Sequence, residues 1–149
     1  MLWRPGARRC SSAIEFRISG RALLVLAFLF LAGDARWTLA TMTAAAVHEL
    51  GHLTALRIMG RKVHSIELEA WGAVICTEPL SQREELLCAA AGPCAGLALC
   101  MLWTMMPRIS FSALVQSVFN LIPLYPLDGG RVLLALRNIC CKHGRFGVQ

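Results

Sequence analysis

The residues best suited to chemistry form the pentapeptide His48-Glu49-Leu50-Gly51-His52. If this stretch is helical, the two histidines lie one turn apart on one face, about 5–6 Å between their Cβ atoms, so both imidazoles can hold one metal ion. Glu49 then points about 100° away, where it can act on a water at the metal without being a ligand. The alternative is a pair of core histidines beside an unrelated acid.

The surroundings of the pentapeptide help to decide between these interpretations. It lies in residues 37–56, which contain no other titratable side chain. An ionisable side chain inside a membrane costs about 2.5–3.5 kcal/mol or more and rarely persists without a role. The apolar setting therefore favours a metal site with a catalytic acid.

The overall composition is typical of a membrane protein. The chain has 149 residues, a length that fits one domain, with 56% apolar and 16% charged residues. Fifteen Lys and Arg exceed nine Asp and Glu, but the cations flank apolar segments in small groups, which indicates membrane topology and no nucleic-acid partner. The seven cysteines include no CxxC pair, so a zinc ribbon is not indicated.

The apolar segments predict an all-α polytopic membrane protein with about four transmembrane helices. A short β-hairpin or edge strand is expected at residues 63–77, between spans 2 and 3, because apolar and charged residues alternate there. The first span is the shortest, and its eleven residues cover only about 16 Å of a hydrocarbon core about 30 Å thick. The expected spans are residues 22–32, 37–56, 86–106 and a broken segment at 109–136.

Two local patterns shape the third span. Ser81 followed by Glu84 is a capping box and predicts where the helix begins. Gly92 and Gly96 form a GxxxG pair, for which close helix packing is the preferred interpretation.

The broken fourth segment offers a third metal ligand, Asp128. Two prolines and a Gly-Gly pair interrupt residues 109–136, and unwound backbone at membrane depth is tolerated where it lines a cavity. Catalytic zinc takes three protein ligands and keeps one position open, so His48, His52 and Asp128 would bind one Zn²⁺ ion. Asn120 is a candidate for stabilising an oxyanion from its residue type alone. Competing third ligands, disfavoured by strand-face or capping positions, are Glu67, Glu69, Glu78, Glu84 and Glu85.

The distribution of basic residues predicts the orientation. With four spans and a cytoplasmic N-terminus, twelve of the fifteen cations fall on the cytoplasmic side. Both termini are then cytoplasmic, and the active site lies toward the cytoplasmic side, because Leu50 and Asp128 each lie about 10–14 Å from that edge. We expect one domain over residues 1–149, with a basic tail at 1–16, a short tail at 138–149 and no additional regulatory domain.

Three motifs in this order resemble the site-2 protease family of intramembrane zinc metalloproteases, with most likeness to the bacterial stage IV sporulation protease type. They are the HELGH pentapeptide at 48–52, Ala-Gly-Pro at 91–93 and NLIPLYPLDGGR at 120–131. The resemblance covers about residues 17–137. One departure is Gly96, where many relatives carry an asparagine.

The resemblance implies a function as well as a fold. It implies hydrolysis of a peptide bond in a membrane-embedded or membrane-associated regulatory protein, such as a pro-sigma or anti-sigma factor, in the bacterial cytoplasmic membrane. It also implies zinc ligation by His48, His52 and Asp128, acid/base catalysis by Glu49, and pairing of the strand near Gly72 with an unfolded substrate segment. Two further partners are expected: the lipid bilayer and a membrane regulatory protein. The alternative function is a catalytically idle membrane scaffold that binds clients without cleaving them.

Overall fold

The computed structural model of the chain describes residues 15–69 and 72–144. The described part is mostly helical, with one small sheet. The elements in chain order are β1 (Glu15–Ile18), α1 (Gly20–Ala32), α2 (Ala35–Ile58), β2 (Val63–Glu69), β3 (Gly72–Thr77), α3 (Gln82–Ala98) followed by a 3₁₀ turn (Leu99–Leu102), α4 (Pro107–Asn120) and α5 (Asp128–Gly144).

The sheet contains the predicted hairpin and one additional strand. Strands β2 and β3 are antiparallel, with Ile66 opposite Ile75, and β1 pairs in parallel with β2 to give the order β1-β2-β3. Strand β1 was not predicted, because four residues that pair about fifty positions along the chain leave no local pattern. Its first two residues belong to the expected tail at 1–16, of which positions 1–14 lie outside the described residues. Within the described chain β3 has a strand neighbour on one side only.

Helices α2 and α3 are the packed centre of the molecule. Helix α3 begins at the predicted capping box, in which the Ser81 hydroxyl accepts from the Glu84 amide and the Glu84 carboxylate accepts from the Ser81 amide. A buried apolar cluster of Leu56, Ile75 and Cys88 joins α2, β3 and α3. The sheet is therefore fixed to one end of the helix pair, close to the pentapeptide of α2.

The predicted interruption of the fourth segment is present. Helix α4 ends at Asn120, residues 121–127 are not helical, and α5 begins at Asp128. The segment consists of two separate helices, and α5 continues to Gly144 through part of the expected C-terminal tail. Two glycines allow the tight approach of α5 to the loop, since a Cβ atom at Gly130 would lie 2.7 Å from the carbonyl oxygen of Leu124.

Length and hydropathy identify one helix of the described chain as able to span a membrane, Gln82–Leu102. Gly20–Leu31 is apolar but shorter. Helix α2 has 24 residues and includes the polar pentapeptide. The mostly helical fold is confirmed, while four membrane spans stay a prediction.

The α2–α3 contact leads to a prediction about stability. A Cβ atom at Gly51 would lie 2.6 Å from the carbonyl oxygen of Ala91 and 2.8 Å from Cβ of Ala95. We expect Gly51→Ala to push the helices apart and to destabilise the protein by about 1–3 kcal/mol, as overpacking does. Thermal unfolding of the detergent-purified protein measures the effect. Gly20→Ala is the control, because nothing lies within 4 Å of its Cβ position, and equal melting temperatures for the two variants would contradict the prediction.

Candidate metal centre

Three side chains from two helices converge on one buried point. His48 and His52 lie one turn apart on α2, and Asp128 is the first residue of α5. Asp128 Oδ2 lies 3.0 Å from Nε2 of His48 and 3.2 Å from Nε2 of His52, and the two Nε2 atoms are 3.2 Å apart. All three side chains are at most 3% exposed. They are also the group of His, Cys, Asp and Glu side chains within the described ranges that could hold a metal ion.

The spacing of these three atoms fits a tetrahedral metal ion. Zinc binds nitrogen and carboxylate oxygen at about 2.0–2.1 Å, which places tetrahedral donor atoms about 3.3 Å from one another. The observed separations of 3.0–3.2 Å approach this value. The donor set therefore matches three of the four positions of a catalytic zinc site.

The tautomer of His52 points to the same conclusion. Its Nδ1 lies 2.8 Å from the carbonyl oxygen of Cys88, which can only accept, so Nδ1 carries a proton and donates it. In a neutral ring the other nitrogen, Nε2, then has a lone pair aimed at Asp128 Oδ2. A lone pair and a carboxylate oxygen repel each other unless a proton or a metal ion lies between them. This arrangement of a ring N–H on a backbone carbonyl is the usual support for a ligating histidine.

Asp128 reaches the centre from the start of a helix. A carboxylate in the first turn is stabilised by the positive end of the helix dipole. Its second oxygen, Oδ1, accepts from Nη1 of Arg131 at 3.5 Å, so the two oxygens face different partners. The break between α4 and α5 therefore supplies both the position and the orientation of this ligand.

Helix α3 provides no ligand, but its backbone closes the site. A Cβ atom at Gly92 would overlap the His52 ring and would lie 2.9 Å from Nε2 of His48. The GxxxG pair was expected to serve helix packing. Gly96 does so, because its Cβ position overlaps the hydroxyl of Ser117 on α4, whereas Gly92 makes room for the imidazoles.

Glu49 lies between the metal centre and the sheet. Its Oε1 accepts from the amide of Ala73 on β3 at 3.3 Å, while Oε2 is buried and has no partner among the described residues. Gly72 is adjacent, with positive φ (131°), and its Cβ position lies 3.5 Å from Glu49 Oε1. The carboxylate is thus held through one oxygen, and its other oxygen accepts no hydrogen bond from the described residues.

Asn120 also reaches the centre. It is the last residue of α4, and its side-chain amide Nδ2 lies 3.4 Å from Nε2 of His48. The structure therefore brings together the six predicted site residues, His48, Glu49, His52, Gly72, Asn120 and Asp128.

Several of the competing glutamates form ion pairs with arginines and are not part of the three-residue metal centre. Glu84 pairs with Arg61, Glu85 pairs with Arg131, and Glu69 pairs with Arg21. Sequence reasoning missed the contributions of the Cys88 carbonyl, of Gly92 and of the Glu85–Arg131 pair. The available signal was the spacing of residues 85, 88 and 92, which places them on one face of α3.

Comparisons with known proteins agree with the geometry. A protein-family model described as Peptidase M50B-like matches residues 21–127. A zinc metalloprotease of Methanocaldococcus jannaschii is 30% identical over 107 residues, covering 62% of this chain and 32% of the relative. Rip3 of Mycobacterium tuberculosis, also named a zinc metalloprotease, is 32% identical over 130 residues, covering 74% of this chain and 32% of the relative.

A solved structure shares the fold. The site-2 protease from Methanocaldococcus jannaschii superposes with a TM-score of 0.68 at 24% identity, over 81% of this chain and 66% of that chain. The chain spans about a third of the length of the curated relatives it matches.

The contact at Gly92 predicts a specific loss of metal. We expect Gly92→Ala to displace the imidazoles and to weaken zinc binding about 10-fold or more, a size typical of disturbed support around metal ligands. Metal analysis of the purified protein and chelator competition measure the change. Gly96→Ala is the matched control on the same helix, because its new methyl group meets Ser117 and not the metal centre. Equal zinc affinity in both variants would show that Gly92 serves packing alone.

Proposed function

This chain belongs to the Peptidase M50B-like family, and from that membership we propose that it is a zinc metalloendopeptidase that cleaves membrane-embedded or membrane-associated proteins. The observation that carries the proposal is the buried convergence of two imidazole nitrogens and one carboxylate oxygen within 3.2 Å of one another. The zinc metalloprotease relatives support the choice of metal and reaction.

His48, His52 and Asp128 would hold one Zn²⁺ ion. Bound zinc supplies a Lewis acid that lowers the pKa of water to about 7 and so yields a nucleophile at neutral pH. The local charge fits a dication, because the three carboxylates of Asp128, Glu49 and Glu85 outnumber the single guanidinium of Arg131 by two.

Glu49 is the proposed general base and acid. The Ala73 amide fixes Oε1, so Oε2 can accept the proton of the attacking water and later donate it to the leaving amine of the cleaved bond. Nothing else among the described residues satisfies that buried oxygen, which supports its use in proton transfer.

Asn120 is the proposed oxyanion donor. Its Nδ2 lies beside the metal-facing nitrogen of His48, so its N–H can donate to the carbonyl oxygen of the scissile bond as negative charge develops there. One donor of this kind contributes about 2.7–4 kcal/mol to the transition state in a comparable amide-based site.

The substrate would bind as an added strand. Among the described strands, β3 pairs on one side only, which leaves an edge that can accept an extended segment, and β3 begins at Gly72, next to Glu49. A peptide paired along this edge would pass the catalytic carboxylate in an extended form, with its backbone carbonyls accessible. This supports a substrate segment that unfolds locally before it is cut.

We place the enzyme in the bacterial cytoplasmic membrane as a multi-pass protein with both termini in the cytoplasm. Exposed apolar side chains on α1 support contact with lipid, including Leu24, Phe28 and Leu31 at 73%, 67% and 88% exposure. A regulatory client of the pro-sigma or anti-sigma class, a sporulation setting and a membrane regulatory partner rest on motif resemblance alone.

The role of Glu49 predicts the effect of removing its charge. We expect Glu49→Gln to lower the cleavage rate of a co-expressed membrane client by about 10²–10⁴-fold, since the amide cannot take the proton. Zinc content should stay at one ion per chain, because Glu49 is not a ligand. Cleavage is followed by immunoblot and zinc by metal analysis.

The same experiment separates the protease from the idle scaffold. If the wild-type protein and Glu49→Gln both leave the client intact while each co-purifies with it, the protein is a scaffold. A Glu49→Gln protein that cleaves at the wild-type rate would assign the base to another group.

The contact between β3 and Glu49 predicts the effect of a methyl group at Gly72. Its φ of 131° disfavours any side chain, so Gly72→Ala should shift the start of β3 and the Ala73 amide that holds Glu49. We expect slower cleavage with unchanged zinc content. Gly60→Ala is the matched control, because Gly60 also has positive φ (68°) but has nothing within 4 Å of its Cβ position. Equal cleavage by both variants would show that the strand start does not position Glu49.

A further inference from the structure

Three residues on one face of α3 contact the metal centre or a neighbour of it. A Cβ atom at Gly92 would meet both imidazoles, and the carbonyl of Cys88 accepts a hydrogen bond from the His52 ring. One turn earlier, Glu85 contacts Arg131, which in turn contacts Asp128. The proposed function counts Glu85 and Arg131 only as local charges and gives their pairing no role.

The pair has an uneven geometry. Glu85 Oε1 accepts from both Nε and Nη2 of Arg131, at 2.8 and 2.6 Å, which leaves Nη1 for Asp128 Oδ1 at 3.5 Å. The Arg131 side chain is 5% exposed and that of Glu85 is 23% exposed. The guanidinium is therefore committed to Glu85 and reaches Asp128 with one remaining nitrogen.

We propose that Glu85 and Arg131 are positioning residues that set the orientation of the Asp128 carboxylate. Contact with Nη1 keeps Oδ1 turned away from the imidazoles, so Oδ2 faces the metal position. The inference rests on the proposed function, since it concerns the same metal site, but it adds two residues that bind no metal.

Glu85 has a second effect in this arrangement, because it prevents Arg131 from competing with the metal ion for the Asp128 carboxylate. A buried guanidinium binds carboxylates through two parallel N–H groups, and this fork geometry is its preferred mode. Without Glu85, the fork of Arg131 is free to bind both oxygens of Asp128 and to withdraw Oδ2 from the metal position. Loss of Glu85 should therefore weaken metal binding although Glu85 itself does not touch the metal.

The first test compares two neighbouring glutamates that have the same kind of ion pair. Glu84 Oε1 accepts from Nε and Nη2 of Arg61 at 2.9 and 2.7 Å, so Glu84→Gln removes a similar pair away from the metal centre. Glutamine also keeps the capping box at Ser81. We expect Glu85→Gln to raise the Kd for zinc about 10–100-fold and Glu84→Gln to leave it unchanged, measured by chelator competition on the purified full-length protein.

A spectroscopic measurement distinguishes positioning from general destabilisation. The visible spectrum of the Co²⁺-substituted protein reports ligand geometry, so it should change in Glu85→Gln and not in Glu84→Gln. Arg131→Lys should change it too, because lysine keeps the charge but loses the fork. An unchanged spectrum in both Glu85→Gln and Arg131→Lys would overturn the proposal.

Chemical rescue gives an independent readout. A cavity of about 180 Å³ is lined by Glu85 and Arg131 together with Tyr125 and Asn138, so a small carboxylate can occupy the space left by Glu85→Ala. We expect formate to restore zinc affinity and the Co²⁺ spectrum of that variant, and formamide to have no effect. If Glu85→Ala does not fold, the glutamine variant carries the test.

The outcomes separate the two proposals. Wild-type protein that binds one zinc ion, with equal affinity in both glutamine variants and no response to formate, would refute the positioning pair and leave the proposed function intact. Wild-type protein that does not bind zinc would refute both.

Discussion

The architecture around the site depends on one constraint, which is that three electron-rich atoms meet at one buried point. Two imidazole nitrogens and a carboxylate oxygen lie 3.0–3.2 Å apart with at most 3% of each side chain exposed. Without a cation such a group is unfavourable, because the lone pairs face one another and no water screens them. The fold must therefore hold the candidate ligands in place before an ion stabilises them, and backbone groups of α3 and β3 contribute at His52 and Glu49.

Helix α3 provides most of that support, although it has no ligand of its own. Its face presents a glycine to the rings, a carbonyl to His52 and a carboxylate to Arg131. A helix backbone is rigid, so contacts made through it fix the imidazoles more strongly than contacts between two flexible side chains. The GxxxG pair therefore has two functions, since Gly92 admits the ligands and Gly96 admits Ser117 of α4. An asparagine at position 96 would not fit against Ser117 without a shift.

In the proposed mechanism, the sheet connects substrate binding with proton transfer. Glu49 projects from the ligand helix toward β3, where the Ala73 amide holds one of its oxygens. The strand that offers an edge to an extended peptide is thus the strand that orients the proposed base. The buried contact of Leu56, Ile75 and Cys88 keeps this strand against both helices, so the distance between the edge and the metal centre is set by apolar packing.

The sequence by itself determined the contacts that depend on local periodicity. The helical repeat places His48 and His52 on one face and Glu49 on another, and prolines and glycines in residues 121–130 require the break before Asp128. The capping box at Ser81 and the hairpin of β2 and β3 were predictable for the same reason.

Only the tertiary structure decided the contacts between distant segments. The parallel strand β1, the amide that holds Glu49, the carbonyl that holds His52 and the pairing of Glu85 with Arg131 all join residues far apart in the chain. No spacing encodes such pairs, because they follow from which helix faces meet. The candidate ligands can thus be identified from the sequence, whereas their orientation follows from the packing of α3 and the sheet against α2.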